Sequence, residues 1–174
     1  RETIMLDFSL RKIDREDNTA VAAVIREVMT EFGAVGQGFS IEDPEVDGMF
    51  EAYQTVQSRF YVVVRAERVV GCGGIAPLAG GPAGTCELKK MYFLPEARGL
   101  GAGRVLAELL ISEARFLGFQ RIYIETLQRM AAANRLYQRL GFAPLSCSLG
   151  NTGHGGCDTF YALELEAPEQ IEFR

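Results

Sequence analysis

The sequence predicts a single α/β domain with a mixed central sheet and flanking helices. Three observations carry this. Segments with β-type pattern alternate with segments of helical spacing, in the order β-α-α-β-β-β-α-β-α-β-β. The 174 residues suit one domain, over residues 1–174, with no internal repeat, linker or low-complexity stretch to divide it. Hydrophobic residues make up 48% and charged residues 24%, the balance of a chain that can build a core.

The elements follow in order. Ile4, Leu6, Phe8 and Leu10 alternate with Met5, Asp7, Ser9 and Arg11, which predicts a first strand. Asp14 to Asn18 can cap a helix whose apolar face is Val21, Val24, Ile25, Val28 and Phe32, ended by Gly33. Gly36 to Ser40 reads as a loop. Asp43-Pro44 signals a second helix, with Val46, Phe50 and Tyr53 inward. Arg59–Arg65 and Val69–Ala76 predict a hairpin, and Cys86–Phe93 a further strand after the Gly/Pro-rich turn 79–84. Arg104–Leu117 predicts a helix burying Val105, Leu106, Leu109, Leu110, Ala114 and Leu117, capped by Gly118. Arg121–Thr126 is a strand and Ala131–Leu140 a short helix capped by Gly141. Phe142–Ser148 and Thr159–Leu165 are the last strands, around the glycine-containing loop 150–156.

Composition narrows the function. The net charge of −5 argues against a general nucleic-acid binder. No apolar run approaches the roughly 18 residues of a membrane span, and no secretory apolar core is visible. The four cysteines form no C-x-x-C pair, so reduced thiols and a cytoplasmic location are expected. Cys72, Cys86 and Cys147 are expected in the core.

The segment Arg98-Gly99-Leu100-Gly101-Ala102-Gly103-Arg104 lies between a strand and a helix. Amides at a helix start bind anions, glycines admit a phosphate closely, and Arg98 and Arg104 can add charge-assisted contacts. A tight turn with no ligand is the plain alternative. The spacing is neither a Walker loop nor the dinucleotide fingerprint.

Arg-x-x-Gly-x-Gly after a strand and before an amphipathic helix resembles the acyl-CoA motif of the Gcn5-related N-acetyltransferases. Glu87-Leu88-Lys89-Lys90-Met91-Tyr92-Phe93 resembles that family's fourth strand. Ala133-Asn134-Arg135-Leu136-Tyr137-Gln138-Arg139-Leu140-Gly141-Phe142 resembles its second signature. The resemblance covers nearly the whole chain and is weakest over 33–58 and 146–158.

The resemblance implies a sheet of about seven strands, splayed between the fourth and fifth, with acetyl-CoA as co-substrate. It implies that the amides of Arg98 to Arg104 hold the pyrophosphate. Met91, Tyr92 and Phe93 would bond the pantetheine arm, and an amide near Tyr92 would polarise the thioester. Asn134 would contact the cofactor. Tyr137 would protonate the leaving thiolate, or serve as a core aromatic. Glu87 would be the base, or a solvated residue with water doing that work. Lys89 and Lys90 read as a solvated strand face. Glu125 is a second base or a structural residue.

The loop with His154, Cys157 and Asp158 either touches the acceptor or faces solvent. His154 and Cys157 have H-x-x-C spacing, but two ligands make no metal site, and none is expected. A nucleophilic Cys157 would need a lowered pKa. The acceptors of such enzymes include antibiotics, polyamines, amino acids, peptides and protein lysines. A small amine or amino acid suits this compact acidic chain. A silent acyl-CoA sensor is the reading from another class. A homodimer through the last strands would be in keeping with the resemblance.

Overall fold

The computed structural model describes residues 7–166, so Ile4, Met5 and Leu6 of the expected first strand lie outside the described residues. The strand that forms, β1, is Ser9–Lys12. A 3-10 turn over Arg15–Asp17 leads into α1, Asn18–Glu31, whose buried residues are Val21, Ala22, Val24, Ile25, Val28 and Met29. The expected helix after Asp43-Pro44 is a 3-10 turn, Pro44–Gly48, followed by the single turn α2, Met49–Ala52. Gly48 sits off helical backbone angles and separates them. Val46 and Tyr53 are buried as expected and Met49 joins them, whereas Phe50 is only partly covered.

β2, Arg59–Arg65, and β3, Arg68–Pro77, form the predicted hairpin. Its two-residue turn places Ala66 and Glu67 at positive φ, the geometry that matches the twist of the flanking strands. β4 is Thr85–Phe93 and α3 is Ala102–Phe116. The buried face of α3 is turned from the expected one. Ala107 and Ile111 are buried, whereas Val105, Leu109 and Leu117 are partly covered. β5, Arg121–Thr126, and α4, Ala131–Arg139, match expectation. β6 is only Ala143–Leu145, and β7 is Thr159–Glu164. Pro144 has no N–H for a ladder and suits the edge strand it occupies. The chain leaves the sheet after Leu145, so Cys147 is exposed rather than buried, while Cys72 and Cys86 are buried as expected.

Among the described residues, seven strands lie in the order β1-β2-β3-β4-β5-β7-β6. Every neighbouring pair is antiparallel except β4 with β5. Adjacent glycines on β3 show how the layers stack. A Cβ on Gly73 would lie 3.2 Å from Leu106 of α3, and one on Gly74 would lie 3.0 Å from the Tyr53 ring. Successive strand residues face opposite sides. Helix α3 therefore covers one face, and α2 with its neighbour α1 covers the other.

Gly74 is enclosed by the neighbouring strand β2 as well as by the Tyr53 ring. A Cβ there would sit 2.5 Å from the Arg59 carbonyl oxygen and 2.6 Å from the Phe60 ring. Backbone cannot swing aside as a side-chain tip can. Gly74→Ala should destabilise the protein by about 1–3 kcal/mol, the range for overpacking a core, read as a lower urea midpoint. An unchanged midpoint would mean that the β2–β3 ladder yields.

Candidate active site

The parallel ladder between β4 and β5 is short. Its register covers Thr85↔Arg121, Cys86↔Ile122 and Glu87↔Tyr123. Beyond Glu87 the strands part, and β4 runs on to Phe93 paired, among the described residues, only with β3. A bulge strengthens the divergence. Between Cys72↔Tyr92 and Gly74↔Lys89, β4 carries one residue more than β3. Lys90 lies in this bulge at φ 56, a left-handed conformation costly for a side chain of its length.

The bulge corrects the reading of Lys90 as solvated. Lys90 is 2% exposed, and its Nζ donates to Asp43 and lies 3.3 Å from Glu45 Oε1. Lys89, half-covered, reaches 3.7 Å from the same Glu45 oxygen and sits over the Tyr53 ring.

Two cavities meet at the parting. The outer one encloses about 450 Å³ between the β4 edge and the starts of α3 and α4. Met91, Tyr92, Phe93, Arg98, Gly99, Gly101, Ala102, Gly103 and Arg104 all line it. Gly101 at φ 81 turns the chain into α3, and a Cβ on Gly99 or Gly101 would meet no protein atom within 4 Å. The first amides of α3 have no helical partner and open onto this space. Leu100 packs on the core and is not among the lining residues. Arg98 is held in a bidentate pair with Glu31 at 2.7 Å, stacks on Phe32, and donates to the Phe93 carbonyl. Its guanidinium therefore braces the loop. Arg104 pairs with Glu108 on the exposed side of α3.

Asn134 is also outside the lining. Its amide donates to the carbonyls of Leu127, Gln128 and Met130, and its oxygen accepts the Tyr161 hydroxyl at 2.8 Å. With all its polar atoms engaged, it shapes the turn between β5 and α4 and ties that turn to β7. Tyr137, one helical turn on, lines both cavities. It is 4% exposed, packs against Phe142 and Tyr161, and makes no side-chain hydrogen bond among the described residues. Burial, reinforced by Tyr161, holds its phenol above the ordinary range, so it stays protonated.

The inner cavity is small, about 50 Å³, and lies over the start of the gap. Glu87, Glu125, His154 and Cys157 line it. Glu87 is 4% exposed, takes part in no side-chain hydrogen bond among the described residues, and has its pKa raised to about 6 by burial. Lys89 partly offsets that burial and Glu125 adds to it. Glu125 behaves oppositely. Burial alone would raise it, but His154, with Thr152 at 2.7 Å and Tyr123 at 2.8 Å, holds it below its ordinary value. Asp158 is turned away, accepting the Gln128 amide at 2.8 Å.

His154 joins two loops over this cavity. Its Nε2 is 2.9 Å from Asp43, and its Nδ1 is 3.5 Å from Glu125. The Gly156 amide donates to the Gly38 carbonyl alongside, at 2.9 Å. Cys157 is not activated. Burial, with Glu125 and Glu87 nearby, pushes its thiol up to about 12, so almost no thiolate exists at neutral pH. Sequence reasoning missed Asp43, Glu45 and Thr152. Only the Asp43-Pro44 pair left a signal, and it reads locally as a helix start.

Burial works against the charged imidazole, but Asp43 and Glu125 outweigh it and lift the His154 pKa from 6.5 to about 9. A raised cationic group stabilises the fold fully below its ordinary value and loses that contribution as pH rises through the folded value. The stability should therefore fall between about pH 6.5 and 9 more steeply than in His154→Asn. Urea unfolding of both across that range measures this, and parallel curves would contradict the assignment.

The model of the acetyltransferase (GNAT) family matches residues 21–142 of this chain. The uncharacterized N-acetyltransferase YjgM of Escherichia coli K12 is 41% identical over 157 residues, spanning 90% of this chain and 94% of that protein. The IAA acetyltransferase of Azospirillum brasilense is 42% identical over 85 residues, spanning 49% of this chain and 54% of that protein. YncA of Salmonella typhimurium, solved with its cofactor acetyl-CoA, superposes with a TM-score of 0.74 at 23% identity, covering 94% of this chain and 96% of its own. A GNAT acetyltransferase of Staphylococcus aureus Mu50 gives 0.76 at 19% identity, covering 91% and 99%. Family model and relatives agree with the splayed seven-stranded sheet and its glycine loop: the chain belongs to the acetyltransferase (GNAT) family.

Proposed function

We propose that the protein transfers an acetyl group from acetyl-CoA directly to a small primary amine. One observation carries the reading. The gap between β4 and β5 joins a long glycine-floored groove to a closed carboxylate-lined cavity, with Tyr137 lining both. The co-substrate of YncA has the shape such a groove would take, with a pyrophosphate for the helix start and an extended arm for the strand edge.

In this reading, the amides at Gly99 to Arg104 hold the pyrophosphate. The pantetheine arm lies along Met91 to Phe93 as an added strand, with its carbonyls and amides answering the edge that β5 has left. An amide at the bulge near Tyr92 faces the thioester oxygen as charge builds on it. Glu87 takes the proton of the incoming ammonium. The neutral nitrogen forms its bond to the acetyl carbon, the carbon–sulfur bond breaks, and the thiolate takes the Tyr137 proton. The acylated nitrogen sheds its extra proton, through water, to the Tyr137 phenolate, and Glu87 releases its own to solvent. The products are the amide and free coenzyme A. A lysine-like amine is only about one part in a thousand neutral at pH 7, which gives Glu87 its purpose. Direct attack fits the inert thiol of Cys157, which offers no nucleophile for an acetyl-enzyme.

Calorimetric titration with acetyl-CoA, followed by thiol release with pooled amines, tests the reading. Binding with release supports transfer, binding alone points to an acyl-CoA sensor, and no binding removes the groove assignment.

Gly101→Val should abolish acetyl-CoA binding. Its side chain would project into the open groove, and a folded but fully binding variant would overturn the phosphate placement. Glu87→Gln should lower kcat/KM by roughly 10²–10⁴-fold, the range for a positioned acid or base. A base must be ionised, so the wild-type rate should climb as pH rises through about 6, a limb absent from the variant. Tyr137→Phe should lower kcat with little change in acetyl-CoA affinity; an unchanged kcat would assign Tyr137 to packing.

A further inference from the structure

The ionisable groups lining the inner cavity, taken together with Asp43 and Glu45 that pair with them from behind its wall, form an unbalanced set. Four carboxylates, Asp43, Glu45, Glu87 and Glu125, meet three cations, Lys89, Lys90 and His154. Each cation already faces at least one carboxylate. Lys90 bonds to Asp43, Lys89 lies near Glu45, and His154 bridges Asp43 and Glu125. Glu87 is the carboxylate left over. Among the described residues it forms no ion pair and no side-chain hydrogen bond, although it is 4% exposed and lines the cavity. With His154 charged the excess is one negative charge, and with His154 neutral it is two. In both states the open position calls for a cation.

The spacing suits an ammonium. Side-chain oxygens of Glu87 and Glu125 and a ring nitrogen of His154 lie within 4.8 Å of one another. An ammonium nitrogen donating two tetrahedral bonds of about 2.8 Å needs its acceptors roughly 4.6 Å apart. The remaining walls include Met29, Phe39, Leu127 and Met130, which offer an apolar face to the rest of an acceptor. Among the described residues lining this cavity there is no arginine, and each cation already faces a carboxylate, so an acceptor's carboxylate would find no free partner. It would lie near Glu87 in a closed site where like charges are weakly screened.

Resting on the acetyl-transfer reading, we propose that the acceptor is a primary amine without a carboxylate beside it, its ammonium seated between Glu87 and Glu125. Free amino acids are then poor acceptors, disfavoured by a missing partner and a facing charge. The class that remains is monoamines and diamines, with the non-reacting end apolar or reaching outward.

Matched triads test this: an amino acid, its C-terminal amide and its decarboxylated amine, in aromatic and aliphatic series, plus a linear diamine. Thiol release is followed with acetyl-CoA, in EDTA so that no trace metal occupies the carboxylates. The amides and amines should exceed the parent amino acids by at least tenfold in kcat/KM. In Glu125→Gln that preference should shrink several-fold. Amino acids equal to or better than their amides would overturn the proposal. Calorimetric binding to the coenzyme A complex separates the two readings. Amines that bind over amino acids without turnover sustain the seat and sink the transfer reading. If neither turns over nor binds in any series, the seat itself is refuted.

Discussion

The short ladder between β4 and β5 is the constraint on which the rest depends. Parallel strands joined by a helix normally pair along their length, and these stop after Glu87↔Tyr123. Backbone groups on β4 beyond that point lack the neighbour a sheet would give them, so the strand edge is available for a ligand. Helix α3 begins beside one end of the opening, and α4 sets Tyr137 against its middle. The bulge at Lys90 keeps the strand from closing again. A left-handed lysine inside a strand is unfavourable, and its ion pairs with Asp43 and Glu45 offset that.

The same few ångströms set two glutamates to opposite ends of their range. Glu125 is surrounded by donors, from Tyr123, Thr152 and His154, and stays ionised. Glu87 has burial without a hydrogen-bond donor among the described residues, so its charge is costly until something brings a proton or a cation to it. Position within a shared cavity, not residue type, makes one the anchor and the other the reactive group. Cys157 receives the reverse treatment, with carboxylates around a buried thiol that suppress its ionisation.

Much of this was legible in the sequence. Period-two and helical spacing located all seven strands, because alternation survives as long as one face of the sheet is buried. The glycine loop was legible because Gly101 meets a backbone demand that few other residues satisfy. The inner cavity was hidden for identifiable reasons. Lys90 follows Lys89 on a strand and reads as a solvated pair; only the extra residue of the bulge turns it inward. Asp43 and His154 are 111 residues apart and meet through loops that carry no periodicity. Asn134 matched a motif, yet the motif could not reveal that Tyr161 and three carbonyls use all its polar atoms.

The histidine that clasps the loop after α1 to the loop between β6 and β7 has a consequence for how such a cavity can change over generations. Asp43 and Glu125 hold opposite sides of one imidazole, and Gly156 and Gly38 lie close enough for an amide to bond a carbonyl. Neither loop can be remodelled alone, because a lengthened or recharged partner would strand the other's buried ion. Divergence at the two segments must proceed in step. Transplanting a new preference from a relative would require moving both segments together, as a single inherited unit that the linear chain divides.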